Sequence, residues 1–339
     1  MSVDGGHRKA TAETVTGALS ALDTGLHERT ALGVRTAPTG FEVLDDVLGG
    51  GLHAGELILL GGPPGVGKTI CALQWARNLA RRGHRAVFVC YEHDNSTLLM
   101  RLLALEAGEA GGDETLGRVV ERALIAGDSA GTGLRDVLSH TERGVDALEA
   151  VESYGDDLVL VSASGSHTTV DELRNVIEPH VSPDRVTVLF VDYLQKIPMH
   201  PEPATESEKV TRTVEATKDL ALELSVPIVL LSAVDAEGMR ANRLRMYHLR
   251  GSSAIAFESD VVVMMNDKRK AVSKVHLAYD PVRARGYKDW VVMSLEKNRG
   301  GPNLLDLQFR KDFGHFRFDP NGGMVTEKLV SERLDEENL

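Results

Sequence analysis

The sequence predicts an α/β fold with a mostly parallel, twisted central sheet, flanked by helices and extended by antiparallel strands near the C-terminal end. Three observations lead to this prediction. A short apolar strand runs directly into the glycine-rich pattern G-x-x-x-x-G-K-T at residues 62–69. Apolar strand patterns then alternate with helical patterns. From residue 260 onward, strand patterns dominate. With 339 residues, 42% of them hydrophobic, the chain can form one large domain of this kind.

The first 35 residues precede the main domain, and we expect them to form a tail. Residues 1–10 have the composition of a disordered segment, and they contain no apolar core that would make a signal peptide. A helix is predicted over residues 11–30. Its apolar side chains either pack on the chain's own domain or form an arm that docks on a neighbouring subunit, and the pattern leaves both open. These side chains are Val15, Leu19, Leu22 and Leu26.

The pattern at residues 62–69 is a P-loop, because a strand precedes it and an amphipathic helix follows it; a simple Gly/Pro turn is the alternative. Its glycines let the backbone N–H groups form an anion nest at the start of that helix. Lys68 can reach the β- and γ-phosphates, and the Thr69 hydroxyl can bind Mg²⁺. The loop therefore predicts a nucleotide with β- and γ-phosphates and Mg²⁺ as cofactors. The predicted nucleotide-binding residues are Gly62, Pro63, Pro64, Gly65, Val66, Gly67, Lys68, Thr69 and Ile70.

Two carboxylates follow apolar strands and are predicted at the sheet edge where open α/β sheets bind ligands. Glu92 follows the strand pattern of residues 86–91; it either activates the attacking water or is a solvated residue at a strand end. Asp192 ends the strand pattern of residues 186–192, the Walker B pattern, and can hold Mg²⁺ through water.

Charge is unevenly distributed. The net charge of −12 weakens a nucleic-acid interpretation without excluding it. Residues 105–157 contain 13 acidic and 4 basic side chains and are interpreted as a surface insertion that becomes helical near 134–153. The loop at 238–250 is basic, and is either a solvated loop or a contact for a phosphate backbone. The predicted DNA-binding residues in it are Arg240, Arg243 and Arg245.

Other patterns complete the predicted domain. Cys71 and Cys90 are interpreted as buried thiols of a cytoplasmic protein, and no apolar run is long enough to cross a membrane. The acidic residues 321–339 are predicted to form a C-terminal tail. Further helices are expected at 95–107, 169–180 and up to 224. Further strands are expected at 158–162, 227–231, 260–265, 290–296, 304–309 and 315–318.

Several segments, in the right order, resemble the C-terminal ATPase domain of the DnaB family of replicative helicases, within the RecA-like ATPases. The resemblance covers residues 36–318 and thus most of the predicted domain at 36–320. The matching segments are PTGFEVLDDVLGGGLHAGELILLGGPPGVGKT, YEHDNSTLLMRLLA, VLFVDYLQKI, TKDLALELSVPIVLLS, LRGSSAIAFESDVVVMM and EKNRGGP.

The resemblance implies a homo-oligomeric ring, usually of six subunits, with ATP at each subunit interface. It implies that Lys68 and Thr69 bind phosphate and Mg²⁺, that Glu92 activates water and that Asp192 supports Mg²⁺. It also implies that Lys297 and Arg299 reach into a neighbour's site. Single-stranded DNA is the implied partner, contacted by loops 195–208 and 238–250, with 5′–3′ movement.

The sequence departs from the family in three ways. Only about 35 residues precede the ATPase region, so we expect the family's N-terminal domain to be missing. Ala233 follows Ser232 where the family usually has Gln, and residues 105–157 are acidic and somewhat long. A DNA helicase or translocase is the leading hypothesis. The alternatives are a nucleotide-dependent scaffold, regulator or loader that does not unwind DNA, and a strand-exchange protein.

Overall fold

A mixed sheet forms the centre of the molecule. The computed structural model describes residues 12–27, 36–112, 133–251 and 253–330. Six neighbouring strands are parallel, in the order β5-β4-β6-β7-β3-β8, and β9, β10 and β11 continue the sheet in antiparallel fashion. The predicted mostly parallel sheet with a C-terminal antiparallel extension is therefore confirmed.

The elements are numbered in chain order over the described residues. The helices are α1 Val15–His27, α2 Glu42–Val47, α3 Lys68–Arg81, α4 Asn95–Glu109, α5 Leu134–Ser139, α6 Gly144–Tyr154, α7 Val170–Ile177, α8 Glu206–Leu224, α9 Ala254–Glu258, α10 Lys268–Ala271, α11 Lys274–Tyr279 and α12 Pro281–Gly286. The strands are β1 Thr36–Ala37, β2 Leu52–His53, β3 Leu57–Gly61, β4 Arg85–Cys90, β5 Leu158–Ser162, β6 Thr187–Asp192, β7 Ile228–Ser232, β8 Val261–Asp267, β9 Trp290–Asn298, β10 Leu305–Asp312, β11 Arg317–Phe318 and β12 Gly323–Met324.

Two apolar layers cover the two faces of the sheet. One layer contains Trp75 of α3 and Phe41, whose rings meet edge to face. The other contains Val210 and Val214 of α8. Every residue of β3 and β7 is buried, as expected for strands covered on both faces. Full burial of one such apolar side chain contributes about 1.5–3 kcal/mol. The two apolar layers therefore stabilise the sheet and hold the ends of its strands in place, and the functional side chains lie at those ends.

The interpretation of residues 105–157 as a surface insertion is wrong for the described part of that segment. Helix α4 continues to Glu109, and α6 packs against it with Leu148 and Val151 in the core. Glu106 is 3% exposed and forms an ion pair with Arg77, which is equally buried. The predicted helix near 134–153 is present as α5 and α6. Residues 113–132 lie outside the described residues.

The segment between β8 and β9 contains three short helices, α10 to α12, that the sequence patterns did not reveal. The strand predicted at 315–318 is reduced to Arg317–Phe318, because a 3₁₀ turn occupies Phe313–His315. No helix among the described residues is long and apolar enough to span a membrane. Cys71 and Cys90 are buried, as predicted.

Helix α1 corresponds to the helix predicted over 11–30. Its side chains Val15, Leu19 and Leu22 are exposed by 79%, 61% and 45%. These three therefore do not pack on the chain's own domain. Residues 28–35 and the side chain of Leu26 lie outside the described part of the chain.

Candidate nucleotide-binding site

The P-loop connects β3 to α3 at the carboxyl edge of the sheet. Gly61 at the end of β3 is in register with Ser232 of β7 and Met264 of β8, so these strand ends share one edge. Gly67 precedes α3 with a φ of +101°. A Cβ on Gly67 would lie 2.6 Å from Cζ of Phe313, so both the backbone angle and the space require glycine there.

Lys68, Thr69 and Asp192 meet at this edge of the sheet, as the P-loop pattern and the strand-end argument predicted. The Lys68 Nζ donates to the carbonyl oxygens of Gly62 at 2.8 Å and Pro63 at 3.1 Å. The Thr69 hydroxyl donates to Oδ2 of Asp192 at 2.6 Å. A hydroxyl and a carboxylate are oxygen ligands of the kind Mg²⁺ prefers, and Mg²⁺ commonly adds substrate phosphates and waters to one or two carboxylates. These residues therefore fit a Mg²⁺–nucleotide complex.

The charged groups at this site favour the binding of a nucleotide phosphate together with a metal cation. Burial lowers the pKa of the Lys68 ammonium, whereas the carboxylates of Asp192 and Glu92 act to raise it. Burial raises the pKa of the Asp192 carboxyl, and the hydrogen bond from Thr69 opposes that rise. Burial thus disfavours the charged form of both groups. A triphosphate beside Lys68 and a cation beside Asp192 would offset that effect.

Glu92 is exposed and lines the same cleft, which has a volume of about 360 Å³. It follows β4, whose last residue Cys90 is in register with Asp192. The structure therefore brings Glu92 to the site with Lys68 and Thr69, as the strand-end argument predicted. Its role in activating water remains a prediction.

Six further residues line this cleft and were not predicted as site residues: His93, Arg101, Tyr193, Ala233, Phe313 and Phe316. The Arg101 guanidinium lies 5.4 Å from the centre of the Phe316 ring, and its Nη2 lies 3.1 Å from Nε2 of His93. A cation over a ring is a favourable arrangement. Arg101 lies within the MRLLA run, so that run was the available signal. The two phenylalanines follow β10, and no local pattern links them to the P-loop.

Ala233 also lines the cleft, at the position where Gln was expected from the family. The side chain of Gln195 makes the polar contacts around it. Gln195 Oε1 accepts a hydrogen bond from Ala233 N at 3.2 Å, and its Nε2 donates to Ser232 Oγ at 3.1 Å and to the Arg250 carbonyl at 2.9 Å. One amide thus joins the segment after β6 to the end of β7 and to the loop 238–250.

Lys297 and Arg299 lie at the opposite edge of the sheet from the P-loop. Arg299 forms an ion pair with Asp260 at 3.0 Å, and Asp260 in turn accepts from the backbone N–H of Leu57, the first residue of β3. Lys297 Nζ donates to carbonyl oxygens at the end of α9, including Ala256 at 2.7 Å. Because β3 rises about 3.3 Å per residue, its two ends are about 13 Å apart. The structure therefore does not bring either residue to the chain's own P-loop.

The predicted DNA-binding arginines are not all free, because acidic side chains from distant strands pair with two of them. The Nη2 of Arg243 donates to both carboxylate oxygens of Asp306, and the Arg243 side chain is 11% exposed. Arg245 pairs with Glu296 at 2.7 Å. Arg240 is exposed. Two of the three guanidiniums are thus already engaged by carboxylates of β9 and β10.

Comparisons with known proteins match this architecture. The family model described as the DnaB-like helicase C-terminal domain matches residues 36–318. The replicative DNA helicase DnaB of Treponema pallidum (strain Nichols) is 30% identical over 284 residues, which cover 82% of this chain and 55% of that protein. The replicative DNA helicase DnaB of Leifsonia xyli subsp. xyli (strain CTCB07) is 28% identical over 314 residues, which cover 90% of this chain and 60% of that protein. The chain thus spans little more than half the length of these relatives.

Two solved structures have the same fold. The ATPase domain of G40P has a TM-score of 0.70 at 17% identity, over 91% of this chain and 99% of that one. A DnaB-like replicative helicase, described with its interactions with primase, has a TM-score of 0.66 at 16% identity, over 91% of this chain and 67% of that one. The predicted RecA-like ATPase fold is confirmed.

Proposed function

Because the chain belongs to the DnaB-like helicase C-terminal domain family, we propose that it is an ATP-dependent ring motor, a helicase or translocase that acts on DNA. One observation carries the proposal: the nucleotide-binding residues and the Lys297–Arg299 pair lie at opposite edges of one sheet. A single chain then holds two halves of a catalytic site that cannot meet within it. Stacking copies around a ring would join the halves at every interface.

Each residue at the P-loop edge has a distinct part in this proposal. Lys68 neutralises the β- and γ-phosphates, and the hydroxyl of Thr69 together with Asp192 orients Mg²⁺, which neutralises charge on the phosphates when bound. Glu92 accepts a proton from the attacking water or orients it. The nucleotide base lies beside Phe313 and Phe316, whose rings line the cleft.

Lys297 and Arg299 act on the neighbour's γ-phosphate in this proposal. Arg299 is 51% exposed although it is paired with Asp260, so its guanidinium is accessible to an adjacent subunit. Positive charge supplied to the transferring phosphoryl group is worth roughly 10³–10⁵ in rate. Hydrolysis would therefore depend on assembly.

The proposed assembly is a homo-oligomer, most simply a hexamer, that tracks single-stranded DNA in the cytoplasm with 5′–3′ polarity. The exposed apolar side chains of α1 support the second alternative for that helix, an arm that docks on a neighbouring subunit. Arg240 and the loop 195–208 would contact the DNA from the ring's centre, whereas the pairing of Arg243 and Arg245 leaves those two less available.

A second function is favoured by a specific observation. Ala233 lines the cleft where a Gln side chain could contact both the γ-phosphate and the DNA loop. Without that contact, nucleotide binding could drive assembly without driving movement on DNA. The chain would then be a scaffold, regulator or loader that does not unwind DNA.

The deciding experiment is the ATPase rate with and without single-stranded DNA. For a motor we expect hydrolysis that depends on Mg²⁺ and rises at least about tenfold when DNA is added, since a motor couples turnover to its track. A Lys68→Ala variant is the control for contaminating ATPases. Robust hydrolysis that DNA leaves unchanged would favour the scaffold, and absent hydrolysis in an assembled protein would contradict the motor.

A further inference from the structure

The segment between β8 and β9 carries an unusual concentration of positive charge. Residues 268–289, here called the basic hairpin, contain 7 Lys or Arg and 2 Asp, in a chain whose net charge is −12. The hairpin comprises α10, α11 and α12 and follows β8, whose carboxyl end shares the sheet edge of the P-loop. A polyanion approaching an acidic protein is attracted to such a local positive region.

The inner side of the basic hairpin is anchored to the domain. Ala271, Val272 and Tyr287 form a small apolar cluster with Val292 of β9 and Leu329. Lys268 is 3% exposed and forms an ion pair with the buried Glu327 at 2.9 Å. The hairpin is therefore a fixed surface built on the sheet.

The outer side presents cations and apolar groups together. Among the described residues, five exposed side chains of the hairpin form no ion pair: Arg269, Lys270, Lys274, Arg285 and Lys288. Arg283 is 60% exposed and pairs with Glu327. Tyr279 is 88% exposed, and Val275 and Val282 are each 78% exposed. Of the two acids, Asp280 is used locally, since its carboxylate accepts from the backbone N–H of Arg283.

We propose that the basic hairpin binds single-stranded nucleic acid, with its free cations on the phosphate backbone and the Tyr279 ring stacked on an unpaired base. This combination of cations and an aromatic ring is the general design of surfaces that bind single strands without sequence preference. The pairing of Arg243 and Arg245 strengthens the inference, because it leaves fewer free cations in the loop 238–250 than in the hairpin. The inference rests on the proposed function only in taking DNA as the polyanion.

The test compares two triple variants that change the net charge equally. Lys270→Ala, Lys274→Ala and Arg285→Ala remove charge from the hairpin. Arg82→Ala, Arg135→Ala and Arg143→Ala remove exposed charge elsewhere. Binding of a fluorescent oligodeoxythymidylate is measured by anisotropy across a salt series, without nucleotide. We expect the hairpin variant to bind at least about tenfold more weakly and its log–log salt slope to flatten by about 2, since each lost phosphate contact contributes about 0.7.

The control triple variant should bind within about twofold of the unaltered protein, because its lost charges lie outside the surface. Equal loss in both triple variants would show an effect of net charge and would overturn the proposal. Tyr279→Ala should weaken binding while Tyr279→Phe retains it, as expected for stacking. If the hairpin variant bound DNA normally but lost binding to phosphatidylserine vesicles, the surface would belong to a membrane and the proposal would fail.

The ATPase rate without DNA separates this inference from the proposed function. None of the substituted hairpin residues lines the nucleotide cleft, so the hairpin variant should keep the basal rate of the unaltered protein. An unaltered protein that binds DNA through the hairpin but hydrolyses no ATP would contradict the motor and leave the hairpin inference standing. If the unaltered protein hydrolyses ATP and the hairpin variants bind the oligonucleotide as tightly as it does, the hairpin inference alone would be overturned.

Discussion

Lys68 and Glu92 line the same cleft, yet we expect their loss to have different effects. Lys68→Ala removes the ammonium that binds phosphate, so nucleotide affinity and turnover should both fall. Glu92→Gln keeps the shape and hydrogen bonding of the side chain but removes the base, so nucleotide binding should persist while turnover falls by about 10²–10⁴. Fluorescent-nucleotide binding and phosphate release measure the two quantities separately.

The matched control is Glu149→Gln on α6, a glutamate whose side chain is 60% exposed and paired only at the surface. It should leave both quantities unchanged. Turnover of Glu92→Gln within a few-fold of the unaltered protein would assign water activation to another group. Near-normal turnover of Lys68→Ala would contradict the P-loop assignment itself.

Sequence spacing predicts only part of the site at the residue scale. Lys68 and Thr69 follow from a local pattern, and Asp192 follows from its place at a strand end. Phe316 and Arg101 meet only because α4 packs near the turn after β10, and nothing local in either segment indicates the contact. The ion pair of Arg243 with Asp306 joins residues 63 positions apart, so a count of neighbouring charges misses it.

At the scale of elements, Gln195 joins the ends of two strands and the loop 238–250. Its amide bonds to Ser232 and to the Arg250 carbonyl, and it does not line the nucleotide cleft. We therefore expect Gln195→Ala to keep the basal ATPase rate within about threefold and to lose most of the stimulation by DNA, because the loop loses its link to the β6 end. Rates at saturating and zero single-stranded DNA measure both.

Asn175→Ala on α7 is the control for this link, since that exposed amide donates to the nearby Glu172 on the same helix. It should leave basal and stimulated rates unchanged. Gln195→Ala with normal stimulation would show that the amide has a structural role alone. Loss of the basal rate in Gln195→Ala would instead place its effect on the geometry of Asp192.

The long strands of the main sheet were predictable from sequence and the short helices were not, for a physical reason. A strand buried on both faces is a continuous apolar run, such as Leu57–Gly61, and needs no periodicity to be recognised. Helices α10, α11 and α12 span four to six residues, which is less than two turns. Tertiary packing on Val292 and Leu329, rather than local pattern, stabilises them.

For the whole molecule, the decisive feature is the separation of the two candidate catalytic edges. The fold places Arg299 at the first residue of β3 and the P-loop at its last, because Asp260 binds both Leu57 N–H and the Arg299 guanidinium. Lys218 also pairs with Asp260, so the arginine is held by a network anchored in the domain. The order of motifs along the sequence does not indicate this separation, which depends on the direction of the strands.

Arg299→Ala tests the ring directly. If the guanidinium acts on a neighbour's γ-phosphate, this variant should bind nucleotide normally, since its own P-loop is intact, while hydrolysis falls by roughly 10³ or more. Lys68→Ala should also be inactive. In an equal mixture that exchanges subunits, about a quarter of interfaces would pair an intact P-loop with an intact arginine, so part of the activity should return.

Arg299→Lys keeps the charge and serves as the matched control for loss of the side chain. Normal hydrolysis by Arg299→Ala would mean that the arginine only stabilises Asp260 within its own chain. Two inactive variants that mixing cannot rescue, despite subunit exchange confirmed by fluorescence transfer, would argue against a site shared between subunits.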